Sequence, residues 1–273
     1  MDNEILDFKN DIKNYVQELF VLILEDYRNY LPESKIEFIE NYDFNNNIII
    51  DKGGKYTKAP ARIENNVLSL SPTIFYDNFV KNYIDNDLKM VDIDLVEEKF
   101  KNLPYELFNV NDLKTLIKTK NLSCFDVCKG LVIHELFHYL ITVKSSSQAY
   151  KTIYNGKEYK CKGVIGEYLE EGLVELYART FALRHNLFMF PNINYQDNIK
   201  FVLKLRKEIG SNMDKLVFNS DYLGLLNYVH KNGLKEEYSS LENAWLEKRM
   251  VSRFDKMNEI KEEEIEELMM EEI

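Results

Sequence analysis

His134, Glu135 and His138 stand in the order His-Glu-Leu-Phe-His inside a stretch of helix-forming residues, 124–144. On a helix, positions four apart share a face. The two imidazoles would therefore turn toward one point and could ligate one metal ion. Glu135, next to His134, would bring its carboxylate near a water on that ion without being a ligand. Zinc lowers the pKa of such a water, and a carboxylate beside it can take the proton as the oxygen attacks a carbonyl. This chemistry needs these residue types in this order on a helix. Only 4 histidines occur in the chain, and two of them form the motif. Leu131, Val132, Ile133, Leu136, Phe137, Leu140 and Ile141 mark the helix as buried. Two histidines and a glutamate in such a setting require a compensating partner, which favours a metal site over a purely structural pair.

A catalytic zinc keeps three protein ligands and one open position. No third histidine follows within a dozen residues, so the HExxHxxGxxH pattern is absent. Residues 167–175 read Glu-Tyr-Leu-Glu-Glu-Gly-Leu-Val-Glu. On a helix Glu167, Glu171 and Glu175 form one stripe flanked by apolar residues. Glu171 is the expected third ligand, and Gly172 beside it lets the two helices approach closely. Glu175, one turn on, could accept a hydrogen bond from the far nitrogen of a ligand histidine and fix its tautomer. A second register takes Glu167 as ligand with Glu171 as its support, and Glu170 sits off the stripe. A solvated acidic face with a Glu175–Arg179 pair is the plainer alternative, but it leaves Gly172 within an apolar helix without a reason.

His134-Glu135-x-x-His138 followed by Glu171-Gly172-x-x-Glu175 resembles the gluzincin metallopeptidases, the thermolysin-like and aminopeptidase-like group. The resemblance covers roughly residues 124–185. It implies a zincin-like fold, His134, His138 and Glu171 as zinc ligands, Glu135 as general base and Glu175 as the support of a histidine. It also implies a peptide or protein substrate bound as an added strand along a sheet edge. The stretch between His138 and Glu171 is longer than is common in the thermolysin-like group, so the polar segment 144–162 reads as an insertion near the cleft.

Attack on an amide builds an oxyanion, which needs a donor besides the metal. His185, Tyr222, Tyr228 and His230 lie downstream of the third ligand, and Tyr222 is the favoured one among 18 tyrosines. Tyr222-Leu223-Gly224 is reminiscent of a Tyr-x-x-Gly element of the aminopeptidase-like group, one residue short. Cys124 and Cys128 share the motif helix, and the expected reading is two small packing residues.

The elements that must position these groups follow from periodicity. Residues 4–30 repeat apolar side chains at three- and four-residue steps and read as one amphipathic helix ended by Pro32. Lys35–Ile39 and Asn47–Asp51 read as short strands. Tyr56–Ile63 and Val67–Ser71 read as a hairpin about Asn65-Asn66, residues that tolerate positive φ. The expectation is a small, mostly antiparallel sheet over residues 35–71, with 61–71 as an edge. Thr73–Tyr83 reads as a helix and 85–120 as short helices. Ser123 is a candidate cap for the motif helix, 144–162 is a loop or small hairpin, and 163–184 is a second strong helix. Four or so shorter helices follow, the last near Phe254–Met270. The fold class is α+β, with an N-terminal lobe of about residues 1–143 and a helical lobe of about 144–273.

Composition sets outer limits. The chain has 273 residues, 45% hydrophobic and 30% charged, which is enough to bury a core. A net charge of −11 argues against broad nucleic-acid binding. Leu19–Leu24 is too short to cross a bilayer, no secretory signal is visible, and 3 cysteines fit a reducing compartment. The expected setting is the cytoplasm, with no membrane partner. Nothing in the sequence specifies an oligomeric state. The leading expectation is zinc-dependent hydrolysis of peptide bonds. The alternatives are a zinc-binding regulatory or interaction protein of zincin fold without turnover, and a metal-free helical interaction domain.

Overall fold

A computed structural model of the chain describes residues 2–50, 61–71, 124–141, 147–154, 157–164, 166–187, 189 and 195–257. Among these the architecture is mixed α/β and mostly helical. The elements are α1 (Asp2–Tyr27), α2 (Glu33–Glu40), β1 (Ile48–Ile50), β2 (Ala61–Glu64), β3 (Val67–Leu70), α3 (Cys124–Leu140), β4 (Ser147–Tyr154) and β5 (Lys157–Val164). They continue with α4 (Glu167–Arg184), α5 (Gln196–Ile209), α6 (Asn212–Phe218), α7 (Tyr222–Lys231) and α8 (Lys235–Met257). The chain forms two compact units. One comprises Met1–Thr142 with Glu170–Asp221, the other Val143–Leu169 with Tyr222–Ile273. No described helix is long and apolar enough to cross a membrane.

In the first unit, α1 buries Ile12, Val16, Leu19 and Ile23, the face expected from its period. At its end Tyr27 meets Phe137 of α3 edge-on at 5.9 Å and Phe218 of α6 at 4.6 Å. This aromatic cluster seats the motif helix on α1. Lys35–Ile39 does not form a strand: it lies in α2. Pro32 sits at the N-cap with extended backbone, and Ile36 and Ile39, three apart, form the buried side of a helix turn.

The small sheet has the order β1-β3-β2. β2 and β3 form the expected hairpin, and Asn65 and Asn66 both take positive φ, 48° and 67°. Two successive left-handed residues give a two-residue turn whose twist matches the strands. The sheet is mixed rather than mostly antiparallel, because β1 runs parallel to β3 with Ile48 beside Leu68. Ile48, Leu68 and Leu70 are fully buried, so one face of the sheet is core. The expected strand residues 56–60, the helices over 72–122 and the Ser123 cap lie outside the described residues.

In the second unit, the polar stretch is a full antiparallel hairpin, β4 paired with β5 from Ser147–Val164 to Tyr154–Lys157. Gly163 is in β5, not in the helix, which starts at Glu167. Glu242 of α8 accepts the Gly166 N–H at 3.0 Å, at the start of α4, where backbone N–H groups lack helical acceptors. Tyr168 meets Trp245 edge-on, and Arg249 pairs with Glu167. Among the described residues four helices follow α4, and the last of these runs from Lys235 to Met257, which includes the first residues of the expected Phe254–Met270 helix. Residues 258–270 lie outside the described residues.

Candidate metal centre

Helix α3 carries both histidines, and its C-terminal end is fixed by a lysine from α2. Lys35 Nζ donates to the Leu140 carbonyl at 2.6 Å, the Phe218 carbonyl at 2.9 Å and Ser220 Oγ at 3.0 Å. Leu140 and Phe218 are the last residues of α3 and α6, so one ammonium occupies two helix C-termini, where cations are favoured. Burial lowers the Lys35 pKa to about 8, against the opposing pull of the Glu170 carboxylate.

Helix α4 brings Glu171 to the imidazoles. Glu171 Oε2 lies 3.6 Å from His134 Nε2 and 3.3 Å from His138 Nε2, and the two Nε2 atoms are 3.1 Å apart. Three donor atoms on two helices thus converge on one point, and the group could hold a metal ion. His134 and Glu171 are buried, while the His138 side chain keeps 18% of its surface open. The trio is therefore approachable from the His138 side.

Each histidine has its own outer carboxylate. His134 Nδ1 donates to Glu175 Oε2 at 2.8 Å, which leaves Nε2 to face the centre. Glu175, with no exposed surface, also accepts from Arg179 Nε at 2.7 Å, so this buried anion has a buried cation beside it. His138 Nδ1 lies 3.4 Å from Glu170 Oε1. Successive helix positions are turned by about 100°, so Glu170 and Glu171 can address two different nitrogens of one ring.

The charges reinforce one another. Burial disfavours charged His134, but the carboxylates of Glu171 and Glu175 outweigh it and raise the pKa to about 9. Burial likewise opposes His138, yet Glu171 and Glu170 hold it well above the usual imidazole range. Burial pushes the Glu171 carboxyl up, but His138 and His134 hold it well below the carboxylate range. Burial also pushes the Glu175 carboxyl up, and Arg179 and His134 outweigh it and lower it. The carboxylates of this cluster thus favour positive charge at its centre, whether as protons on the imidazoles or as a cation.

Glu135 accepts the backbone N–H of Ile63 at 3.0 Å through Oε2. Ile63 belongs to β2, which among the described residues is an edge of the three-stranded sheet. Its N–H points away from β3, so the carboxylate next to the histidines and the sheet edge are in direct contact. Glu167, the ligand of the second register, is paired with Arg249 in the second unit. Tyr222 opens α7 in that unit, and its hydroxyl shares a hydrogen bond with Tyr238 at 3.1 Å. His185 is bonded to Asp26 at 3.0 Å. Tyr228 and His230 lie on α7.

Two neighbours of the histidines escaped the sequence reading. One is Glu170 as a partner of His138. The other is Tyr195, whose ring is parallel to His134 within 4° at a centroid separation of 5.5 Å. Gly172 was its only mark in the sequence. A Cβ there would lie 2.8 Å from the Asn198 carbonyl oxygen and 2.8 Å from Val202 Cγ2. The glycine therefore admits α5, whose start carries Tyr195, and not α3 as its position beside Glu171 suggested.

Comparison with known proteins finds no match among family models, curated proteins or solved structures.

Proposed function

We propose that this chain is a zinc-dependent peptidase of zincin-like architecture that hydrolyses peptide bonds with Glu135 as general base. One observation carries the zinc assignment. Neighbouring donors of a tetrahedral zinc with bonds of about 2.0–2.1 Å stand about 3.3–3.4 Å apart. The separations among His134 Nε2, His138 Nε2 and Glu171 Oε2 are 3.1, 3.3 and 3.6 Å, which bracket that value.

Zinc bound by these three groups would lower the pKa of a water and polarise the scissile carbonyl. The protein's own residues do the rest. Glu175 keeps the His134 proton on Nδ1, so Nε2 offers its lone pair. Glu135, steadied by the Ile63 N–H, takes a proton from the attacking water as the new C–O bond forms. It returns a proton to the amide nitrogen as the C–N bond breaks, leaving a carboxylic acid and an amine. On this reading the substrate lies along the β2 edge as an added strand at positions other than Ile63, whose outward N–H Glu135 already occupies. The reading takes the substrate to be a peptide or protein and the setting to be the cytoplasm, the latter on sequence grounds alone.

Hydrolysis of a diverse peptide mixture by the zinc-loaded protein, compared with Glu135→Gln, tests this function. The wild type should cleave, and the variant should be slower by at least about a hundredfold. Equal rates would overturn it. A second reading, a zinc-binding regulatory or interaction protein without turnover, draws on the engagement of the Tyr222 hydroxyl with Tyr238. Stoichiometric zinc with no cleavage of any substrate would favour it.

A further inference from the structure

We infer that Tyr195 is a positioning residue for the metal centre, acting through the face of the His134 ring and held there by the seating of α5 on Gly172. The inference rests on the metal-binding reading above. The hydrogen bond from His134 Nδ1 to Glu175 lies in the plane of the ring and fixes where the ring points. It does little to prevent tilting about that line. A flat ring laid over the imidazole does prevent it. Tyr195 is parallel to His134 within 4°, and their 5.5 Å centroid separation falls in the range of offset stacks. The two contacts are complementary, one in the plane and one on the face.

The seat of Tyr195 is rigid for a reason visible in the backbone. Tyr195 immediately precedes α5, and the first turns of that helix rest on α4 at Gly172. There the main chain at Asn198 comes to 2.8 Å (O) and 2.9 Å (C) from where a Cβ would be. The same α4 carries Glu171 and Glu175. One rigid helix therefore supplies a ligand, sets the imidazole's direction and sets the position of the ring that covers it.

An imidazolium and a metal-bound imidazole are both electron-poor, and both suit the tyrosine face. Tyr195 therefore acts on metal binding by holding the His134 ring in place, not by preferring its charge.

The test uses the full chain and the variants Tyr195→Phe, Tyr195→Leu and Tyr195→Ala, with His134→Ala as reference. Zinc affinity is read against a competing chelator, the ligand field from the visible spectrum with cobalt(II), and folding from the melting temperature of the metal-free protein. Tyr195→Phe keeps the stack and should bind zinc within about twofold of wild type. Tyr195→Leu and Tyr195→Ala should bind about tenfold more weakly, with altered cobalt bands, while the metal-free melting temperature of Tyr195→Leu stays near wild type. Wild-type affinity and an unchanged cobalt spectrum in Tyr195→Leu would overturn the inference and leave the metal centre standing. An equal loss in Tyr195→Phe would also overturn it, by assigning the effect to the hydroxyl. A wild type that binds no more zinc than His134→Ala would overturn the metal centre itself. If Tyr195→Ala does not fold, the Phe and Leu variants decide the question.

Discussion

The Lys35 ammonium donates to the carbonyl of Leu140, the last residue of the helix that carries His134 and His138. Its other two protons go to Phe218 and Ser220, so one side chain closes three acceptors. Lys35→Met should lower stability by about 2–4 kcal/mol, because part-buried acceptors lose a charged donor. Burial holds the Lys35 pKa near 8, below its ordinary 10.5. Between those values the unfolded chain binds the proton that the folded chain has lost, so wild-type stability rises with pH. The deficit of Lys35→Met relative to wild type should widen from pH 8 toward 10.5. Urea unfolding of both proteins across that range checks both outcomes.

A metal bound as proposed would compete with protons for the same nitrogens. With the His134 pKa raised to about 9 and His138 well above normal, binding below those values must expel protons. Zinc affinity should rise about tenfold per pH unit for each proton expelled, from pH 6 to about 9. The metal-free protein should respond in the opposite sense. The stability its imidazolium–carboxylate contacts provide is complete below pH 6.5 and is lost as pH rises through about 9. Chelator competition and metal-free melting curves at matched pH read the two trends.

Glu175 serves two charged neighbours at once. Glu175→Gln should weaken metal binding about 10- to 100-fold by loosening His134. It should also cost about 3 kcal/mol, since Arg179 is buried and loses its countercharge. Glu170→Gln should have the smaller effect, because the His138 contact is longer, 3.4 Å against 2.8 Å. Metal titration and denaturant unfolding of the two variants side by side give the ranking.

Gly172→Ala should destabilise the protein by about 1–3 kcal/mol. The atom that the new methyl meets is a backbone oxygen of Asn198, which cannot turn aside as a side-chain end could. Relief requires α5 to move off α4, so the near-ultraviolet signal of the stacked tyrosine should change together with the unfolding midpoint.

The residues of the centre that were legible in the sequence are those related by helix periodicity. His134 with His138, and Glu171 with Glu175, are four apart, and that spacing is local information. Glu170 was set aside because it is off the stripe, and only the placement of α3 against α4 reveals that His138 presents a second nitrogen toward it. Lys35 and Tyr195 reach the centre through tertiary packing, which no short spacing encodes. Lys35–Ile39 reads as a strand in the sequence because its isoleucines favour β structure, whereas their burial three residues apart decides for helix. The Asn65-Asn66 hairpin was legible because a two-residue turn with positive φ has few sequences that suit it.

The β4–β5 hairpin lies in the chain between the helix with both imidazoles and the helix with Glu171. A single protease cut within it would leave His134 and His138 on one fragment and Glu171 on the other. A metal ion bound as proposed would then bridge two polypeptides in addition to their packing, as between Phe137 and Phe181, and a chelator would remove that one bridge and leave the packing alone to join them.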